Sequence, residues 1–192
     1  TAWSQLVAMM PWQELRFAPG SRYGYSNPAY IYLARIIESL TGDPWTVYVQ
    51  QNLWAPLGMT RSYVNRTPPY LAAHRSNRYY VGKDSAGTAA PRAAGPEFDP
   101  GVTIPNGGWN APMEDLATWI GFLTGTARGA ERADSLLRRA TLAEMGAPVV
   151  PVGRGEGVIE SMGLGFFLYD LNGRKLMGHT GDQGGFRSFM AF

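Results

Sequence analysis

Asn172-Gly173 constrains this chain more than any other pair of residues. Both residue types accept the positive φ that a two-residue hairpin turn demands, and apolar strand patterns flank them. Upstream, Leu164, Phe166 and Leu168 alternate with Gly165, Phe167 and Tyr169, which is the period of a strand. Arg174 to Thr180 should therefore return antiparallel, and after Gly181 to Gly185 a third strand should run from Phe186. The last section, 148–192, reads as an antiparallel meander.

The preceding 147 residues read as mainly helical, which makes the chain α+β. Tyr30, Leu33, Ala34 and Ile37 give one apolar stripe to a helix from about Pro28 to Leu40, stopped by Gly42. Asp43-Pro44 repeats a start signal, an acidic cap before proline, for a second helix through about Leu57 with Gly58 as its stop. Leu116, Trp119, Ile120 and Leu123 predict a third helix with Pro112 in its first turn, and a shorter one lies within Asp134 to Met145. From Thr60 to Pro105 periodicity fails. A structureless loop of that length is uncommon unless it lines a site or hides short elements, so it is read as a candidate cleft wall. The Gly153-Arg-Gly155-Glu-Gly157 run lacks the spacing and the flanking strand and helix of a phosphate loop, and is read as an ordinary loop.

Two short stretches could carry chemistry. Tyr25-Ser26-Asn27 presents a phenol, a hydroxyl and an amide between the turns Pro19-Gly20 and Asn27-Pro28. Its structural reading is a helix start, with Asn27 as N-cap and Pro28 as first helical residue. His179-Thr180-Gly181 places an imidazole, a hydroxyl and an unobstructed backbone at a strand end, suited to hold a carboxylate or an acyl oxygen. Its structural reading is a half-exposed strand histidine bonded to solvent.

Composition excludes several classes. The chain has no cysteine, so disulfides, thiolate nucleophiles and cysteine metal sites are absent, and His74 and His179 make a poor metal cluster. No cofactor is called for. A formal charge of +2 is too small to argue for nucleic acid, although six basic residues face one acid between Arg61 and Arg92. No apolar run is long enough to span a bilayer. The chain opens without Met and stops within an apolar strand, which is read as a piece of a larger protein whose partner is its own missing N-terminal portion.

Taken together, the motifs resemble a known family. Pro19-Gly-Ser-Arg-Tyr-Gly-Tyr25-Ser26-Asn27, Leu57-Gly58-Met59-Thr60, Gly107-Gly108 before Asp115-Leu116-Ala117, and Gly178-His179-Thr180-Gly181 before Gly185-Phe186 resemble the serine β-lactamase superfamily. They are most similar to the branch of class C β-lactamases, D-alanyl-D-alanine carboxypeptidases, D-aminopeptidases and related esterases. The resemblance implies a β-lactamase/transpeptidase-like fold, an antiparallel sheet flanked by helices with a helical region beside it, of which this chain holds part. It implies acyl transfer through a covalent serine on D-amino-acid peptides, β-lactams or small esters, in a secreted or periplasmic protein. Tyr25 then matches the proton-carrying tyrosine and Asn27 the amide that binds substrate. His179, Thr180 and Gly181 match the strand motif, and the backbone N–H of Asp182 the oxyanion donor, with the Asp182 carboxylate turned away.

One part of the pattern is missing. No serine is followed three residues later by lysine, and the two lysines are Lys83 and Lys175. The chain alone is therefore expected to be inactive for want of a nucleophile. A non-catalytic member of the same fold, binding a peptide or ester in the same cleft, is the alternative.

Overall fold

A computed structural model describes residues 2–95, 99–126, 135–152 and 159–192. Helix α1 (Ala2–Met9) leads into α2 (Asn27–Thr41), and α3 (Trp45–Val49) continues through a π turn, Gln50–Trp54, into α4 (Ala55–Leu57). The segment from 60 to 105 holds short elements: β1 (Tyr63–Val64), a 3-10 turn at Pro69–His74, the hairpin β2 (Tyr79–Lys83) and β3 (Ala89–Ala93), and α5 (Ile104–Gly107) at its end. Then come β4 (Trp109–Asn110), α6 (Met113–Thr124) and α7 (Arg139–Met145). A five-stranded antiparallel sheet closes the chain in the order of β5 (Val150–Pro151), β6 (Ile159–Met162), β7 (Phe167–Leu171), β8 (Arg174–Gln183) and β9 (Phe186–Ala191).

The predicted hairpin is present. Asn172 and Gly173 have φ of 55° and 83°, and Leu171 pairs with Arg174 across them. The return strand is longer than its pattern implied, because Gly181, Asp182 and Gln183 stay extended and turn only at Gly184-Gly185. Pairing with Ser188, Arg187 and Phe186 supplies the ladder that holds them. Strands β5 and β6 were not expected, and the glycine run 153–157 lies outside the described residues.

Local signals at the helix ends need three corrections. Ser26, not Asn27, caps α2: its Oγ accepts from the Ala29 N–H at 3.4 Å, Asn27 opens the helix and Pro28 follows in the first turn. Pro44, not Asp43, precedes α3, and the half-buried Trp45 N–H, without a partner inside the helix, is satisfied from outside by Glu38 Oε1 at 3.2 Å. Pro112 likewise caps α6 without entering it. The stops at Gly42 and Gly58 are as predicted, both with left-handed φ near 78–79°.

Helix α2 buries Ile31 and Ala34, whereas Leu33 is exposed and Tyr30 only partly so, its hydroxyl lying against Gly165. A second apolar line of Leu33, Ile36 and Leu40 therefore faces outward. The core lies between α6, α7 and the sheet: Phe122, Leu123, Leu142 and Phe166 are buried together, with Trp119, Met177, Met190 and Phe192 packed against them. Full burial of such side chains stabilises by roughly 1.5–3 kcal/mol each. That packing fixes the helical side of β8, on which Met177 lies.

Asp115, in the first turn of α6, is buried and accepts from the Ser62 hydroxyl at 2.9 Å and from the Arg61 N–H at 3.1 Å. It ties α6 to the chain just beyond fully buried Met59. Removing it leaves two donors unsatisfied, each costing about 1–3 kcal/mol. Asp115→Ala should therefore lower stability by about 2–4 kcal/mol, read from the denaturant midpoint, and an unchanged midpoint would show that the contact is dispensable.

Candidate active site

Tyr25 and Asn27, at the entry of α2, and His179 to Asp182, on β8, line one cavity of about 700 Å³. The residues predicted from two distant stretches are thus brought together. The Tyr25 and His179 rings are 6.2 Å apart, and Phe167 binds both: it stacks on His179 at 5.1 Å and on Tyr25 at 6.4 Å. Such aromatic contacts hold ring orientation as well as burying area. With the helix cap supplied by Ser26, the Asn27 amide is not committed to the backbone.

His179 is not a strand histidine bonded only to solvent. Its Nδ1 lies 2.5 Å from the Thr180 carbonyl oxygen, so in neutral imidazole Nδ1–H donates there and Nε2 keeps its lone pair. Tyr30 lies close behind: burial first, and then the neighbouring Tyr25, push its phenol above the usual range. Tyr25 itself is half exposed and lines the cavity, whereas Tyr30 does not reach it.

The backbone of β8 adds a second feature. Met177 and Phe192 exchange both hydrogen bonds, at 2.9 and 3.0 Å. Antiparallel alternation then turns the backbone groups of 179, 181 and 183 toward β9, and those of 178, 180 and 182 toward the other side. There β7 begins at Phe167, opposite Gly178, and no described strand pairs with β8 beyond that point. The Thr180 and Asp182 N–H groups consequently point to an open sheet edge beside the cavity. The Asp182 carboxylate is held by Arg187 at 3.0 Å across the ladder, an exposed pair that contributes little stability but fixes the side chain.

Neither lysine serves this site. Lys175 is bound by Glu160 at 2.7 Å and Asp170 at 2.8 Å near the hairpin turn, four residues and about 13 Å along β8 from His179. Lys83 ends β2, outside the cavity lining. The stretch from 60 to 105 does contribute a wall, through Val64, Asn65, Arg75 and Ile104. Sequence reading missed Asn65, Asn106 and Gln183, which also line the cavity; ending β8 at Thr180 hid the fact that Gln183 shares a face with His179.

Helices against an antiparallel sheet, with a tyrosine, an asparagine and a strand His-Thr-Gly converging on one cleft, define a β-lactamase/transpeptidase-like protein. The chain belongs to the Beta-lactamase family, a family of serine hydrolases, whose profile matches residues 1–192. A putative D-alanyl-D-alanine carboxypeptidase of Escherichia coli K12 is 38% identical over 61 residues, 32% of this chain and 14% of that protein. Its counterpart in Salmonella paratyphi B is 36% identical over 75 residues, 36% of this chain and 17% of that protein. Among solved structures, the octameric penicillin-binding protein homologue of Pyrococcus abyssi superposes with a TM-score of 0.73 at 23% identity, covering 98% of this chain and 40% of that one. The D-stereospecific amidohydrolase of a Streptomyces species gives 0.72 at 24% identity, covering 97% and 51%. These likenesses show the fold. The chain spans about half or less of the length of the solved structures it matches.

Proposed function

We propose that this chain supplies the proton carrier, the substrate amide partner and the oxyanion strand of a serine acyl-transfer site, with the nucleophile contributed by chain outside residues 1–192. The observation that carries this reading is the convergence of Tyr25 and His179, 6.2 Å between ring centres, on one cavity beside an open edge of β8. In the proposed reaction the serine hydroxyl gives its proton to the Tyr25 oxygen as it attacks the acyl carbon. Tyr25 then delivers that proton to the leaving nitrogen or oxygen, and water reverses the sequence to release the acid. A phenol is a weak base at neutral pH, so the transfer is concerted with attack or assisted by a cation from the nucleophile's own segment. Asn27 holds the substrate amide. The Asp182 N–H donates to the developing oxyanion, an interaction worth about 3 kcal/mol in comparable sites.

The substrates in view are peptides ending in D-amino acids, small amides and esters, and β-lactams, in keeping with the names of the related carboxypeptidases and amidohydrolase. The full-length protein is proposed to be secreted or periplasmic, where such peptides are met, and cell fractionation tests that placement. Labelling the full-length protein with a fluorescent β-lactam and with an activated ester tests the chemistry. An acyl adduct on a serine upstream of Thr1 is expected; an intact upstream domain without Ser-x-x-Lys, and no adduct, would leave the non-catalytic binding reading in its place.

His179→Ala should weaken substrates that carry a carboxylate by about tenfold, the size of one charge-assisted hydrogen bond from the imidazolium form, in which Nε2 also carries a proton, and neutral esters by much less. Steady-state kcat/KM on a matched pair checks this, and equal losses would remove His179 from anion recognition.

A further inference from the structure

Tyr25 stands between two hollows, and the acyl-transfer chemistry described above uses only one of them. Besides the main cavity, Tyr25 lines a second, open hollow of about 480 Å³ together with Arg16, Phe17, Arg22, Tyr23 and Gly24. A turn builds it. The Ser21 N–H and hydroxyl both donate to the Ala18 carbonyl, at 3.1 and 2.6 Å, while Pro19 and Gly20, the latter at φ 77°, fill the middle positions in the way a type II turn requires. The reversal brings Arg22 back toward Arg16. Gly24 completes the hollow by having no side chain, since a Cβ there would lie 2.8 Å from Phe17 Cζ and 3.3 Å from Arg16 Nη2. The Arg16 guanidinium is thus placed against the backbone one residue before Tyr25.

The charge of this hollow is uncompensated. No acid lines it, and neither Arg16 nor Arg22 has a hydrogen-bond or ion-pair partner among the described residues. Two cations held near one another repel, and an anion between them turns that repulsion into attraction. We propose that Arg16 and Arg22 form a subsite for a side-chain carboxylate on the leaving group, so that the preferred substrates end in an acidic D-amino acid. The placement on the leaving side rests on the acyl-transfer reading, in which the leaving atom meets the Tyr25 oxygen. A side chain carried by that leaving group has the second hollow open to it across Tyr25. Guanidinium groups match a carboxylate in shape as well as charge, and the rings of Phe17, Tyr23 and Tyr25 offer apolar surface to the methylenes that carry it. His179 lines the main cavity and not this hollow, so the two sites serve separate carboxylates of one ligand.

Calorimetric titration of the full-length protein with the ketomethylene analogues of N-acetyl-D-alanyl-D-glutamate and N-acetyl-D-alanyl-D-glutamine tests this. A methylene replaces the scissile N–H, so neither ligand is cleaved, and both keep the same α-carboxylate. The glutamate ligand should bind about fivefold more tightly, the size expected of two exposed charge pairs. In the double variant Arg16→Gln, Arg22→Gln the ratio should fall toward one, whereas Arg16→Lys with Arg22→Lys should keep part of it. Retained binding of the glutamine ligand shows that each variant is folded. Equal affinities in the wild type, no binding of either ligand, or a ratio untouched by the glutamine double variant overturns the proposal. So does an equal gain, lost in the same variant, when the extra acid is moved to the other end as a succinyl cap on the glutamine ligand, because that would show general attraction instead of a subsite. A preference for glutamate in a protein that no β-lactam or activated ester acylates would sink the acyl-transfer reading and leave the anion subsite standing; acylation with equal affinities would do the reverse.

Discussion

Tyr25→Phe should lower hydrolysis of a chromogenic ester and of a β-lactam by the full-length protein about 10²–10⁴-fold, the usual span for a general acid–base group. The ring would remain, and with it the stacking on Phe167 at 6.4 Å. Only the oxygen is lost, and among the described residues that oxygen has no hydrogen-bond partner, so it contributes little to the fold. Tyr25 is half exposed, and substitutions at such positions usually change stability by no more than about 0.5 kcal/mol. A large fall in kcat with an unmoved melting temperature is thus the expected pair of results. Turnover within a few-fold of wild type would remove Tyr25 from the proton path.

The opposite pair is expected one residue before the strand motif. Gly178 pairs with Phe167 on one side and Ala191 on the other, the position where β8 passes from one neighbour to the next. An added Cβ would lie 2.0 Å from the Met190 carbonyl oxygen and 2.8 Å from the Ala191 Cα, and both are backbone atoms that cannot swing aside. Overpacking typically costs 1–3 kcal/mol where side chains can adjust. Gly178→Ala should reach at least the upper end, about 3 kcal/mol, and shift a urea midpoint by roughly 1–2 M. Activity would fall with the folded fraction instead of at constant fold. A wild-type midpoint would contradict the register of β8 against β9 and the placement of the Asp182 N–H derived from it.

The sequence made some features plain and left others hidden, for physical reasons. Asn172-Gly173 declared its turn because few residue pairs tolerate two consecutive positive φ values. Gly42 and Gly58 declared helix stops for the same reason. The helix starts were harder, since Ser26 and Asn27 are both good caps and only the entering chain direction selects Ser26. The role of Glu38 at the start of the next helix was invisible, because it acts from seven residues away. In α2 the apolar residues surround most of the helix, so periodicity could not tell the buried line of Ile31 and Ala34 from the exposed one of Leu33, Ile36 and Leu40. Tyr25, Asn27 and His179 were named from their motifs, but their convergence is a property of the fold. Asn65 and Gln183 offered no local signal: one depends on a left-handed backbone held by Gly108, the other on a strand that runs three residues past the point where its pattern fades.

The π turn at Gln50–Trp54 bears on how this cavity tolerates changes in chain length. A π turn is one residue more than an α-helix needs, and here that surplus sets the direction of Trp54, which is buried and stacks on Trp109 at 5.7 Å. Trp109 meets Trp119 at 6.0 Å, and Trp119 meets Phe122 in the core at 5.3 Å. Deleting a single residue such as exposed Gln51 would restore regular helix and rotate everything beyond it by about 100° relative to what precedes. Trp54 would leave the stack, and the cavity wall would lose its connection to the interior. An exposed position such as Gln51 is therefore a poor site for a deletion, although most substitutions there should be accepted.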